Sequence, residues 1–408
     1  MYNQRMRILM LLAGCSAGLF AQSLDGLWSA TIDVNNREIP FRIGFSTEGG
    51  AHGWFFNGDE KISSTSGSFE NGSLVLRFDH YATRLEAKLA DGELTGTYGR
   101  EGRANPFHAV PYRAPAPSAE TAPNIAGLWD IEVESPKGEK AWHLIVHQKG
   151  AEVSAAILRV DGDTGLLTGG YRDGQFILSH FSGARPSLMT LAPQPDGSLE
   201  VVQNGKKLAA LRSTEARAKG LPAPDDPMQH TTMKSPGEPL RFSFPDLNGR
   251  IVSNTDARFQ GKVVLVAIGG SWCPNCHDEA PYLEELYRKY RAAGLEVVDL
   301  SFEEGDQLKD PTRLRAFIKQ YGIDYPVLLA GEPSELNAKL PQAVNLNAWP
   351  TTFFVGRDGR VKAIHTGFAG QASGELHDEM VREIDGTLRQ LLSEDAAEPL
   401  ANGEPRHE

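Results

Sequence analysis

The segment LDGLWSATIDV at Leu24 returns as IAGLWDIEVES at Ile125, and the echo continues in order: FENGSLVLRF at Phe69 with YRDGQFILSH at Tyr171, LADGELTG at Leu89 with PQPDGSLEV at Pro193. Offsets of about 101 to 105 residues preserve both order and spacing, so the first half of the chain reads as two copies of one unit. Any fold proposed for it must be one that can be built twice, side by side, from roughly a hundred residues each.

Each copy reads as β. Trp129, Ile131 and Val133 alternate with Asp130, Glu132 and Glu134, and Trp28, Ala30, Ile32 and Val34 repeat the pattern in the first copy, as in strands with one buried face. Asn71-Gly72, Asp91-Gly92, Asp173-Gly174 and Asp196-Gly197 lie between apolar runs and supply the positive φ of tight hairpins. An antiparallel meander closing into a small barrel or sandwich follows. The opening Gly-x-Trp resembles that of lipocalin-like barrels, which bind apolar ligands. A tryptophan plugging a barrel end is equally a scaffold element, and a scaffold or protein-docking role is the expectation adopted for the repeats.

Proline- and alanine-rich stretches, RAPAPSAETAPN from Arg113 and GLPAPDDPMQHTTMKSPGEP from Gly220, read as extended linkers rather than packed chain. They divide the sequence into repeat units at 24–113 and 125–213, linkers at 114–124 and 214–238, a C-terminal unit at 239–393 and a polar tail at 394–408. In that C-terminal unit the pattern changes. GKVVLVAIGG is an unbroken apolar run of the kind found in buried parallel strands. APYLEELYRKYRAAG is an amphipathic helix ending at Gly294, and DPTRLRAFIKQYG a second with Asp310 as cap and Pro311 at its first position. TTFFVGRDGRVKAIHTG is a hairpin about Asp358-Gly359, and ELHDEMVREIDGTLRQLL a closing helix, giving an α/β sandwich.

The chain holds three cysteines among 408 residues, and two of them lie in SWCPNCHDEAP. The strand before this motif ends near Ile268, which puts Cys273 at the N-terminus of the helix carrying Cys276. There the helix dipole and free backbone N–H groups favour a thiolate, so Cys273 is the expected nucleophile and Cys276, one turn on and more buried, the sulfur able to close a disulfide with it. Glu279 follows on the face of Cys276, placed to take its proton. A structural disulfide across one helical turn would close too short a loop to stabilise the fold much. A zinc site would need further Cys or His at ligand spacing, so no metal is expected. His277 is expected to point to the surface, and His365 to serve the core or surface rather than a metal.

WCPNC, the downstream WPTTFFV and the strand order resemble the thioredoxin fold. Cys-x-x-Cys-x-x-Glu-x-Pro, Cys273 to Pro281, resembles the TlpA and ResA family of exported disulfide reductases, over roughly Pro239 to Leu392. The resemblance implies that Cys273 attacks, Cys276 resolves, Glu279 is the acid/base, and Pro350 is a cis-proline facing the sulfurs. It further implies that Trp272, Trp349 and Thr351 flank the substrate, and that the redox-active Cys273–Cys276 disulfide is the sole redox group, with no other cofactor. Two departures matter. Thioredoxin carries a buried Asp, and many TlpA-like proteins an Asn, six residues before the first cysteine; here it is Ala267. The intervening Pro274-Asn275 tunes the thiolate and leaves the direction of electron flow open.

Arg5 and Arg7 precede an uncharged apolar run from Ile8 to Ala21, the layout of an export signal across 1–23. Leu12-Ala13-Gly14-Cys15 resembles a bacterial lipobox whose use would lipidate Cys15; cleavage after Ala21 would discard it. The expected location is the cell envelope, periplasmic, with the membrane touched only through such an anchor or signal. A formal charge of −12 argues against nucleic-acid or anionic-membrane surfaces. Expected partners are cysteine pairs of envelope proteins, apocytochrome c among them, with a membrane thiol carrier as electron donor. Alternatives are a thiol peroxidase of the redoxin superfamily, whose members usually set a threonine where Gly270 stands, and an envelope binding protein in which the repeats carry the main role.

Overall fold

The fold of residues 23–114 and 121–394 is given by a computed structural model. The export segment with Cys15, residues 115–120 of the first linker and the tail from 395 lie outside the described residues.

Both repeats are antiparallel meanders, the second rolled into a closed barrel and the first into a barrel left open along one seam. In the first, strands run from Gly26–Asp33 to Arg103–Pro111, each pairing with the next, and the last returns to pair with the first. The ladder is interrupted at one place, between Glu60–Ser63 and Ser66–Glu70, where the Ser64 and Thr65 amides donate to the Gly53 and Arg77 carbonyls at 2.8 and 2.7 Å. In the second repeat the ladder closes: Glu152–Arg159 pairs with both Ala141–Lys149 and Leu167–Arg172. The duplication persists in detail. The Trp28 indole N–H donates to the Leu24 carbonyl and the Trp129 indole to the Ile125 carbonyl, both at 2.9 Å, each ring sealing its barrel's core. At Asn71-Gly72 φ is 50 and 77°, and at Asp173-Gly174 it is 51 and 80°, the paired positive values a two-residue hairpin turn requires.

The second linker is packed, contrary to its composition. Ser213–Ala218 forms a helix, Thr232–Met233 pairs with Ala343–Val344, and His230 is held between Asp225 and Asn347 at 2.9 Å each. Proline there excludes regular structure, but the polar residues between the prolines find partners on the C-terminal domain.

That domain is a five-stranded sheet in the order Val327–Gly331, Leu295–Phe302, Val263–Gly269, Thr351–Val355, Val361–Thr366, with the first three parallel to one another and each of the last two antiparallel to the strand before it. Odd-numbered Val263, Leu265 and Ala267 face the helices Pro274–Tyr290, Thr312–Tyr321 and Glu375–Ser393; Val264, Val266 and Ile268 face Phe242, Phe259 and Leu336. The topology is thioredoxin-like. Pro311 occupies the cap position of Thr312–Tyr321, so Asp310 lies outside that helix and makes no cap bond.

Candidate active site

The central strand delivers its C-terminal end to a turn in which Cys273 caps the helix and Pro274 takes the first helical position, where no N–H is needed. The Cys273 carbonyl accepts from the amides of Cys276 and His277 at 3.1 and 3.2 Å. Both cysteines are free thiols, and both are covered: Cys273 is 4 % and Cys276 5 % exposed, so burial does not separate their roles as the sequence suggested. Burial, a hydrogen bond to Cys273 and the charges of Cys273 and Glu279 push the Cys276 thiol well above the ordinary range, partly offset by the Gly270 backbone. Glu279 is buried and pushed up to about 8 by desolvation, against the opposing effect of the Thr352 hydroxyl that donates to it at 2.8 Å. It can therefore release or hold a proton near neutral pH.

Trp272 and Trp349 meet edge to face, centroids 5.5 Å apart, and the Trp272 indole donates to the Phe302 carbonyl at 2.8 Å. The Trp349–Pro350 peptide is cis. The Pro350 carbonyl accepts from Gly367 at 2.7 Å, and Thr351, paired in register with Ile268, donates to the Ala348 carbonyl. A side chain at 270 would not fit, since a Cβ there would lie 2.4 Å from Trp272 Nε1 and 2.5 Å from the Phe302 carbonyl. The threonine expected of related peroxidases thus has no room.

His277 departs from its expected surface position. It is buried, donates to the Ser271 carbonyl at 2.9 Å, accepts from Tyr321 at 2.9 Å and stacks on Tyr81 of the first barrel at 4.4 Å. Phe317 and Tyr321 of its own domain pack on one side of the ring, and His80 and Tyr81 of the first barrel cover another. His365 is buried and donates to the Gly367 carbonyl at 3.0 Å; among the described residues no group of three or more His, Cys, Asp or Glu could hold a metal.

Residues outside the motif complete the site. Glu303 accepts from the Ser271 amide and hydroxyl at 2.6 and 2.8 Å and pairs with buried Arg313 at 2.8 Å, pinning the turn before the cysteines. From the second barrel, Arg185 donates to Asn275 Oδ1 at 2.8 Å and pairs with Asp278, while Asn275 Nδ2 donates to the Asp161 carbonyl at 2.6 Å. Gly162 forms a β-bridge with Phe368 beside them. No local pattern points to Arg185, which lies in a barrel loop some 90 residues away in sequence. Its φ of 53°, unusual for a residue with a side chain, marks it only once the structure is in hand.

Residues 236–364 match the model of the AhpC/TSA family. Thiol-disulfide oxidoreductase ResA of Bacillus thuringiensis (strain Al Hakam) is 32 % identical over 154 residues, 38 % of this chain and 76 % of that protein. The ResA of Geobacillus thermodenitrificans is 30 % identical over 141 residues, 35 % and 74 % of the two chains. Among solved structures, a thiol:disulfide interchange protein DsbE from Chlorobium tepidum is 25 % identical with a TM-score of 0.27, covering 35 % of this chain and 96 % of that one. The C-terminal domain thus defines a thioredoxin-fold thiol–disulfide oxidoreductase. The chain belongs to the ResA family, with two barrels added ahead of the shared domain.

Proposed function

We propose that this oxidoreductase works outside the cytosol as a reductase of cysteine pairs in other proteins of the cell envelope. The observation that carries the reading is the placement of two thiols at the start of one helix with a buried, proton-exchanging carboxyl, Glu279, behind the second. Cys273 attacks one sulfur of the substrate disulfide, and one substrate thiolate leaves. Cys276, its proton removed, attacks Cys273; the mixed disulfide breaks and the Cys273–Cys276 disulfide forms, so two electrons pass to the substrate. Trp272, Trp349, Pro350 and Thr351 line the approach of the substrate, and Pro274-Asn275 tune the potential. The disulfide is the only redox group required, and a membrane thiol carrier returns it to the dithiol. The apolar N-terminal run supports export, with either lipidation of Cys15 or removal of the whole segment.

Replacing Cys276 with Ala stalls the exchange at the mixed disulfide on Cys273. Mass spectrometry of envelope extracts should then recover proteins joined to Cys273; recovery of none would reject protein-disulfide exchange. The wild-type protein should reduce insulin disulfides with negligible turnover of hydrogen peroxide, and the reverse preference would establish the peroxidase reading.

A further inference from the structure

Ala267 sits where a buried polar side chain would face the cysteines, and its partner in the parallel ladder is Asp299. Paired residues of a parallel ladder project to the same side of the sheet, and Val297, two positions before Asp299, packs in the cluster that faces the site helix. Asp299 is 8 % exposed, and its Oδ1 has no hydrogen-bond partner. A buried carboxyl oxygen without a donor is costly, and such atoms in native folds commonly have a chemical use. The space beside it identifies the use. A Cβ placed on Gly269 would lie 3.4 Å from Cys276 Sγ and 3.7 Å from Asp299 Oδ1, so the sulfur and the free oxygen face the same methyl-sized gap, which the absence of a side chain at 269 leaves open.

We propose that Asp299 is a second proton-handling carboxyl of the redox site and receives the proton of Cys276 when the mixed disulfide is resolved. In the dithiol, the Cys276 S–H is engaged with Cys273. Once Cys273 is bonded to a substrate sulfur it no longer offers a thiolate, and the S–H is left beside an acceptor that has no other donor. In the ionised form of Asp299 the proton moves from Cys276 Sγ to Oδ1, directly or through one water, leaving Asp299 as the neutral acid; the Cys276 thiolate attacks Cys273 Sγ, the S–S bond to the substrate breaks, and the substrate leaves as thiolate. The groups facing Asp299 are Cys276 and Glu279 on the site helix, Glu303 at the end of its own strand, and Tyr325 ahead of the neighbouring strand. Burial, with Glu279 and Glu303 nearby, holds Asp299 well above the usual carboxylate range, which brings it toward that of the thiol it serves. Oε1 of Glu279 already accepts from Thr352, whereas Oδ1 of Asp299 is buried with no donor among the described residues.

The test is the two-phase reaction of the full-length reduced protein with dithiobis-nitrobenzoate, which releases one coloured thiolate as Cys273 attacks and a second as Cys276 resolves. Asp299→Asn should leave the first phase within about twofold and slow the second about tenfold near neutrality, with the gap closing toward alkaline pH. A second phase with unchanged rate and pH midpoint overturns the proposal. Should Asn be refused by the core, Ala267→Asp combined with Asp299→Ala moves the carboxyl to the opposite register position. That variant is expected to keep the second phase fast, and a folded double variant as slow as Asp299→Ala overturns the proposal equally. The inference rests on the order of attack assigned to the two cysteines. Failure of that order would appear as a first phase retained in Cys273→Ser, with Cys276 attacking the reagent instead, a result separable from any effect at Asp299.

Discussion

The two barrels descend from one repeated unit, yet they stand differently toward the rest of the molecule. The second closes its own ladder and fills its core with its own side chains, from Ile125 to Ala210. The first leaves a break in its ladder and completes its core with a side chain from its neighbour: Phe181 packs against Phe41, Phe55 and Tyr98 at centroid distances of 4.8, 5.3 and 5.3 Å. Four residues further along the same loop, Arg185 grips the turn between the cysteines. One short segment, Phe181 to Arg185, therefore joins all three parts, its apolar end in one barrel and its charged end on the redox helix. Both copies reach the C-terminal domain, the first through Tyr81 on His277 and Arg100 on Glu304, but only the Phe181–Arg185 loop of the second joins all three parts.

Phe181→Ala breaks this relation most severely. Removing a buried phenylalanine costs about 4 kcal/mol, and the loss should fall on the barrel that does not contain it in sequence. Hydrogen exchange should lose protection across 26–111 more than across 127–212. Loss confined to the second barrel would mean that the first stands without its neighbour. Arg185→Ala comes next, at about 3 kcal/mol, because it leaves Asp278 buried without its guanidinium. Since Arg185 also holds the barrel over the sulfurs, alkylation of Cys273 by iodoacetamide should accelerate about tenfold or more, and an unchanged rate would show that the barrel does not limit access.

What could be read in the sequence and what could not divide along the range of the forces involved. Period-two alternation, Asn-Gly and Asp-Gly turns and the register of the repeat are local, so both β units were legible; whether a ladder closes depends on residues far apart, and barrel or sandwich stayed open. The C-terminal unit was legible to its strand order. Within the site, the residues of the motif lie where helix geometry puts them. Asp299 and Glu303 come from the strand beside the motif's own, and Arg185 from another domain, and no spacing rule reaches them. His277 illustrates the same limit: its place after the motif suggests exposure, but Phe317 and Tyr321 of a neighbouring helix and Tyr81 of the first barrel enclose it. The second linker fails for the opposite reason, since composition reports regularity of the backbone and says little about polar packing.

The C-terminal domain should also respond to pH differently from the two barrels. Burial pushes His80 of the first barrel down to about 4 and His180 of the second to about 3, and His277 and His365 of the C-terminal domain to about 3 and about 4. A histidine whose folded value is depressed contributes stability above its unfolded value near 6.5 that is lost as pH falls, so all three parts weaken on acidification, each such group by up to about 1.4 kcal/mol per pH unit. Glu279 has the opposite sign. Its folded value of about 8 exceeds the unfolded 4.5, so its contribution is complete below 4.5 and is lost as pH rises toward 8. Between 6.5 and 8 the reduced protein should lose stability with rising pH through the C-terminal domain, and Glu279→Gln should flatten that slope. Urea denaturation at a series of pH values measures it; an unaltered slope in the variant would place the titration elsewhere.

The smallest effect tests the finest contact between barrel and site. Asn275 gives one hydrogen bond to the Asp161 carbonyl and takes one from Arg185, and it lies in the dipeptide between the two cysteines. Asn275→Ala removes both bonds but leaves the Arg185–Asp278 pair, so the cost should be about 1 kcal/mol, well below that of Arg185→Ala. If the barrel acts on the site through the ion pair alone, Cys273 alkylation in Asn275→Ala will match the wild type. If the backbone at Asp161 shares the load, alkylation will rise by about twofold to fivefold while the thermal midpoint moves little, and the same gain will vanish in an Arg185→Ala background, where the cover is already loose.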